Sequence, residues 1–468
     1  MKYAALLPEA MVVATAVLLL LGARWRTPAY RRLRSRLPAV VAVILLVAVG
    51  VELWAGAGVG TYFGGAFVQD RFGLFVKAAA LVAVAAAIAV ADWPAEDSLS
   101  LSLAMPLLAV FGVMVTASAG DLVGLWAGLE LSAAAGAATL VLRRPDLGLR
   151  LLLLGATASA IMLGGLAFVY ATAGTSDLLG MRFALAAAAP TLPIAIPILL
   201  VIGALALRAA WAPLQLAGPA SWQASPLSGG MLTGLVTTAA LVAAIKVTAA
   251  VGPVSPVYAL YVEVLAALLM LGGGAGAVAV RSPRARLGLI AACQVGWILA
   301  GLSTHFRGGT GSSVFLLGAF VIAATAGPAV VGASGLSEVG LAGLGTLRPQ
   351  RAAGLAIALL SLAGAPPLAG FFGEFAVGAA LTQGGHMELL AVGLLGSMLS
   401  LVAALGTIRV LYLQSPLDEA RRVAPPPVWT RFSAGGAVVL CALIAGYSLL
   451  ASPILELADQ GAKGLGLR

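Results

Sequence analysis

Val17-Leu18-Leu19-Leu20-Leu21 is a run of apolar side chains with no alternation. A strand of a membrane barrel alternates polarity along segments of about 10 residues. A helix in lipid satisfies its backbone internally and tolerates apolar residues on every face. The run therefore reads as helix. The same reading extends outward along the chain, where such runs last about 18–25 residues, enough to cross a hydrocarbon core of about 30 Å at about 1.5 Å per residue. Over 468 residues, 61% are hydrophobic and 10% charged, with a mean hydropathy of +1.05. Soluble domains are roughly 45–50% apolar and about 25% charged. The chain reads as an all-α integral membrane protein with no soluble domain of any size.

Fourteen spans are expected, near 3–22, 38–57, 72–92, 99–117, 119–142, 149–173, 190–213, 226–250, 256–280, 285–303, 312–334, 352–380, 387–413 and 433–452. The first lacks a basic leader and an A-x-A site, so it is not read as a cleaved signal. Basic residues fix the expected orientation. If the first loop is cytoplasmic, alternate connections hold 17 of the 27 Lys and Arg, among them Arg24, Arg143, Arg281, Arg348 and Arg421. The opposite side holds 6: Lys2, Arg71, Arg182, Arg307, Lys463 and Arg468. Both termini are then expected on the outer side. The bias also accounts for the net charge of +9 without a nucleic-acid partner.

Two spans carry internal breaks. One contains Arg208-Ala209-Ala210-Trp211-Ala212-Pro213, the other Gly364-Ala365-Pro366-Pro367-Leu368-Ala369-Gly370. Proline inside a helix removes a hydrogen bond and clashes one turn back. Broken helices at membrane depth belong against protein or a water-filled cavity. These two fall in spans seven and twelve, so the spacing suggests two inverted five-helix repeats, 99–250 (spans 4–8) and 256–413 (spans 9–13). The repeats follow three N-terminal helices in 1–95 and precede a last helix at 433–452.

An ionised residue near the bilayer centre costs roughly 2.5–3.5 kcal/mol on insertion scales, so it needs a partner or a task. Glu130, in Leu125-Trp126-Ala127-Gly128-Leu129-Glu130-Leu131, reads either as a carboxylate kept for packing or as an ion-path residue. Arg208 does not titrate usefully and can serve as the counter-ion of Glu130 if the two are close. Glu374, just past the second break, is well placed to take and release a proton. Lys246, towards the end of span eight, is read as snorkelling to the interface rather than as a buried relay. Lys77, in span three, is ambiguous in the same way, and Glu52 and Glu263 are weaker candidates without named partners. Cys293 and Cys441 sit in apolar runs with no CxxC spacing, and His305 and His386 read as isolated loop residues. No metal site, P-loop or GxGxxG is present in the sequence, so no cofactor is expected in the chain itself.

Several stretches carry a resemblance: Leu6-Leu7-Pro8-Glu9, then Phe63-Gly64-Gly65-Ala66-Phe67-Val68-Gln69-Asp70 leading to Phe75-Val76-Lys77, and Ala117-Ser118-Ala119-Gly120-Asp121-Leu122 with Gly128-Leu129-Glu130-Leu131. The most specific is Leu360-Ser361-Leu362-Ala363-Gly364-Ala365-Pro366-Pro367-Leu368-Ala369-Gly370-Phe371. The sequence resembles the antiporter-like membrane subunits of respiratory complex I over nearly its whole length, and the Phe63 to Lys77 segment is most similar to the subunit N branch. The resemblance implies a bacterial inner-membrane subunit that moves protons through a mid-membrane chain of titratable groups and water. It also implies sister antiporter-like subunits as partners, with NADH, FMN, iron–sulfur clusters and quinone handled by other subunits. Glu130 matches the family's span-five glutamate. Arg208 stands where a lysine is usual, Gln215 and Gln294 where histidines are usual, Val236 at the usual span-eight lysine, and Glu374 at the usual span-twelve lysine. On this pattern Glu130 and Arg208 form the coupled pair, Glu374 the second-half proton site, and Gln215 and Gln294 order water, with Lys246 assisting. The missing lysines keep other readings open: a structural, non-pumping subunit of the same arm, or a subunit of a cation–proton antiporter or membrane-bound hydrogenase.

Overall fold

Alanine- and leucine-rich segments with no charge to solvate close their backbone hydrogen bonds within themselves, and that decides most of the molecule. The computed structural model describes residues 4–23, 36–55, 60–91, 93, 99–141, 145–187, 192–208, 230–251, 256–304, 308–331, 341–416 and 430–465. The main helices are α1 (Leu7–Gly22), α2 (Leu37–Ala55), α3 (Arg71–Val90), α4 (Leu99–Ser118), α5 (Leu122–Val141), α6 (Pro145–Ala173), α7 (Leu178–Ala187) and α8 (Leu192–Arg208). They continue with α9 (Thr237–Val251), α10 (Pro256–Ala279), α11 (Pro283–Ser303), α12 (Gly309–Ala329), α13 (Pro349–Leu362), α14 (Ala369–Gly384), α15 (Met387–Leu413), α16 (Thr430–Leu449) and α17 (Ala451–Gly464). A π-helical turn, Met231–Val236, leads into α9.

Among the described residues eleven helices are long and apolar enough to cross a membrane, or twelve if the bent pair α16–α17 counts as one span. The chain is a multi-pass membrane protein. The sequence reading expects fourteen spans, of which the seventh and twelfth are broken. Span twelve is two pieces, α13 and α14, separated by residues 363–368, which contain a cis Pro366–Pro367 bond. In span seven α8 ends at Arg208, and Pro213 and Gln215 lie outside the described residues. The expected last helix turns by 75° after Leu449 into α17, which packs across α3 and α12.

Close helix crossings are set by glycine. On α4 and α5, a Cβ at Gly112 would lie 2.4 Å from Ser132 N, and one at Gly128 would lie 2.6 Å from Thr116 N. The α10–α15 crossing is similar, with a Cβ at Gly274 2.4 Å from Gly396 O. Without a hydrophobic drive between helices in lipid, such small residues let backbones approach and gain dispersion. At the centre stands α12, buried along its length, with α3, α11, α14 and α17 around it. The outer helices α1, α2, α6 and α15 expose Leu18, Trp54, Phe168 and Met398.

The reading as purely helical needs one correction. A two-stranded antiparallel hairpin, β1 (Gly60–Tyr62) with β2 (Phe67–Gln69), turns through Phe63, Gly64 and Gly65 at positive φ. It seats on the α4–α5 turn, where Gly120 N donates to Ala66 O at 2.9 Å and a Cβ at Gly120 would lie 1.9 Å from Gly65 O. Aspartates cap the helices beside it: Asp70, Asp121 and Asp177 accept from Gly73 N, Gly124 N and Gly180 N at 2.6, 2.7 and 2.5 Å.

Candidate functional site

Glu130 sits mid-way along α5, two residues after the Gly128 crossing. Arg208 is the last residue of α8, where a cation also meets the negative end of the helix. The two side chains form a forked ion pair. Arg208 Nη2 donates to Glu130 Oε1, and Nη1 lies 3.3 Å from Oε2. Nη2 also donates to Gly155 O on α6 at 3.0 Å. One guanidinium thus ties α5, α6 and α8. Its side chain is 2% exposed, against 31% for Glu130. The fork geometry suits arginine and would not be matched by lysine.

At the second break the chain leaves α13 through Gly364, held at φ +70°. A Cβ there would lie 2.2 Å from Glu374 Oε2, so the carboxylate of α14 folds back over a turn that only glycine leaves open. Ser397 Oγ on α15 donates to Glu374 Oε2 at 2.7 Å, and Trp297 Nε1 on α11 donates to Ser397 Oγ at 2.8 Å. Beside them Gln294 Nε2 donates to Ser361 O at 3.2 Å, a carbonyl at the end of α13 that also accepts from Gly364 N at 3.3 Å. Gly370 packs on the same group: a Cβ would lie 1.7 Å from Ser361 O. A cavity of about 520 Å³ opens along this face, lined by Glu374, Ser397, Trp297, Phe371, Phe375 and Met398.

Among the described residues, these buried polar atoms on neighbouring helices have no hydrogen-bond partner: Ser132 Oγ on α5, Thr238 Oγ1 on α9, Thr325 Oγ1 on α12, Gln294 Oε1 on α11 and Ser400 Oγ on α15. Their helices pack in that sequence, α5 on α9, α9 on α12, α12 on α11 and α11 on α15. Buried hydroxyl and amide oxygens of this kind are met by ordered water in folded proteins. Val236, at the end of the π-helical turn, is buried and brings no polar atom.

Two expectations change. Lys246 does not snorkel. It is buried, and its Nζ donates to Ala119 O at 2.7 Å, because the carbonyl at the α4–α5 turn gives the ammonium an acceptor inside the bundle. His386 and Glu263 are not solitary, for Nδ1 and Oε1 stand 3.2 Å apart. The sequence reading also left Lys77 ambiguous and Glu52 without a named partner, whereas Lys77 is buried and meets both Glu52 and Glu9. It passed over Ser361, Ser397, Trp297 and Thr325. Their only signal is a lone polar atom in an apolar helix.

The family described as NADH:quinone oxidoreductase/Mrp antiporter, TM, matches residues 119–400. The chain belongs to this family. The NADH-quinone oxidoreductase subunit N of Erythrobacter litoralis is 30% identical over 457 residues, 93% of either chain. Subunit N 1 of Acidiphilium cryptum is 29% identical over 425 residues, 86% of either chain. Among solved structures, a chain of respiratory complex I from Thermus thermophilus with bound aureothin superposes with a TM-score of 0.78 at 23% identity, over 97% of this chain and 99% of that one. A chain of the Mrp complex from Dietzia sp. gives 0.80 at 22%, over 99% and 98%. These two likenesses establish the antiporter-family fold. The family segment contains Glu130, Arg208, Lys246, Gln294 and Glu374. It leaves out α1–α3, with Glu9, Glu52 and Lys77.

Proposed function

We infer that this chain is a subunit N-type member of the membrane arm of a proton-translocating NADH–quinone oxidoreductase, and that it forms one proton-channel unit of that arm. Relatives bearing that name align along nearly its whole length. The observation that carries the channel reading is the set of buried polar atoms without a partner among the described residues, Ser132, Thr238, Thr325, Gln294 and Ser400, on helices that pack in turn from α5, which carries Glu130, to α15, whose Ser397 meets Glu374. Water ordered on these atoms would join the carboxylates. Arg208 does not cycle its proton and acts on Glu130 as a fixed charge. Glu374 takes and releases the proton of the second half. Gln294 orders water, as would Gln215. Lys246, against the Ala119 carbonyl, assists at the α4–α5 end.

The finer architecture belongs to the same reading: fourteen spans, with 99–250 and 256–413 as inverted repeats interrupted at Pro213 and at Pro366–Pro367, and both termini on the outer side. Two parallels support it. Spans four and five cross on Gly112 and Gly128, and spans nine and ten cross where a Cβ at Gly273 would lie 2.6 Å from Cys293 N. Span five ties to span seven through Glu130–Arg208, and span ten to span twelve through Gln294–Ser361. Sister antiporter-like subunits would adjoin the exposed faces of α2, α6 and α15, and subunits elsewhere in the complex would carry the redox centres.

Val236 and Gln294 favour a second reading, a structural subunit that no longer pumps, since neither position offers a titratable group. Glu374→Gln in the reconstituted complex separates the two. A fall in the proton-to-electron ratio by one unit's share, with electron transfer retained, establishes the channel. An unchanged ratio and unchanged electron transfer establish the structural subunit.

A further inference from the structure

Away from the Glu130–Glu374 line, three ionisable side chains meet where α1 begins, α2 ends and α3 begins. Lys77 Nζ lies 2.7 Å from Glu9 Oε1 and 3.5 Å from Glu52 Oε1. Gln69, from the hairpin, locks the group: its Nε2 donates to Glu52 Oε1 at 2.7 Å, and its Oε1 accepts from Lys77 Nζ at 2.6 Å. The Phe67 ring covers the ammonium at 5.0 Å. All three charged groups are buried, with Glu9 6%, Glu52 1% and Lys77 0% exposed. Glu9 Oε2 and Glu52 Oε2 have no hydrogen-bond partner among the described residues.

The charges do not balance. Two carboxylates share one ammonium, and the next charged groups do not change the excess. Asp70, the N-cap of α3, is spent accepting from Gly73 N, and Lys246, on α9, stands within the fields of Asp70 and Lys77. Including both leaves three carboxylates against two ammonium groups. An uncompensated charge at this depth is costly, and one proton removes it while giving a partnerless carboxyl oxygen a hydrogen to donate. We propose that Glu9 and Glu52 hold one proton between them beside Lys77, forming a proton-binding site in the N-terminal helices, outside the family segment. The proton leaves one carboxyl as a neutral acid and the other as the ionised partner of Lys77. Through Lys246 and the Ala119 carbonyl the site adjoins the first half of the channel, at the end of the bundle where the hairpin sits. Its service as a transfer station rests on the pumping reading. Its occupancy does not.

Infrared difference spectroscopy of the assembled complex in membranes, in water and in deuterium oxide, tests occupancy without using transport. Subtracting the spectrum of Glu9→Gln from that of the wild type is expected to leave one carboxylic-acid carbonyl band that shifts in deuterium oxide. Subtracting Glu52→Gln leaves the same kind of band, because in either variant the surviving carboxylate ionises against Lys77. Lys77→Met removes the ammonium, so both carboxyls hold protons and the acid signal of the pair doubles. Loss of carboxylate bands alone in both glutamine variants, with no gain in Lys77→Met, overturns the proposal. If a glutamine variant does not assemble, Glu52→Asp is read instead: a shared proton requires the acid band to move without losing area, and an unmoved band overturns it.

Discussion

The two halves of the family segment hold their carboxylates in opposite ways. In the first, Glu130 is forked onto a cation that never gives up its charge, and that cation is also bound to the α6 backbone. In the second, the partner of Glu374 among the described residues is a serine hydroxyl, itself held by an indole, and the neighbouring tie between α11 and α13 is an amide on a carbonyl. The first arrangement fixes geometry, since changing the charge of one member strands the other. The second frees the carboxyl to change protonation, since no cation among the described residues is paired with it. One half is built as a clamp and the other as a valve, and the difference follows from which side chain faces each carboxylate.

The sharpest way to break that contrast is to remove one member of the clamp. Glu130→Gln keeps the shape but leaves Arg208, almost wholly buried, without its counter-ion, at a cost of roughly 3–5 kcal/mol. Complex yield and thermal unfolding of the detergent-solubilised complex are expected to fall steeply. Arg208→Gln leaves the more exposed partner and is expected to cost less. Equal yields of wild type and Glu130→Gln would mean that the pair is no clamp. A smaller effect is expected at the valve's hinge. Gly370→Ala drives a methyl into Ser361 O and forces α13 and α14 apart, an overpacking cost of about 1–3 kcal/mol. Gly385→Ala, where the added carbon meets nothing within 4 Å, bears only the strain of its positive φ and serves as the control.

The clamp was more legible in the sequence than the valve's surroundings. Glutamate and arginine in apolar helices are costly enough to demand each other, and Pro366-Pro367 between glycines cannot continue a helix. Ser397 carries no such mark. A hydroxyl in an apolar helix usually returns to its own backbone, as Thr382 does to Gly378 O and Ser448 to Ile444 O, and only packing reveals that Ser397 turns to Glu374 instead. Lys246 was misread because stem length argues for snorkelling, while the acceptor that keeps it inside is a backbone carbonyl 127 residues away. Hydropathy ended the last span near 452 because α17 mixes Glu456, Asp459 and Lys463 with apolar residues. Its helix is stabilised from outside the segment, through Arg71 to Gln460 at 2.5 Å and the packing of Gly461 on Phe72. The hairpin did have a local signal, Gly64-Gly65 between Thr61-Tyr62 and Phe67-Val68, but it is shorter than any strand that hydropathy detects.

The smallest effect on stability is expected where the effect on transport is largest. In Glu374→Gln the amide oxygen can accept the same hydrogen bond from Ser397, no buried cation is stranded, and the turn at Gly364 keeps a side chain of equal size above it. The change in unfolding free energy should stay under about 1 kcal/mol, the scale of one neutral hydrogen bond exchanged for another. Measured beside Glu130→Gln in the same preparation, it gives the difference between clamp and valve directly. If Glu374→Gln destabilises the complex as much as Glu130→Gln, then Glu374 has a cation of its own. The cavity past Phe375 and Met398, both exposed on this chain, is the face through which a neighbouring subunit could supply one. In that case both halves would be clamps, and the second carboxylate would serve assembly.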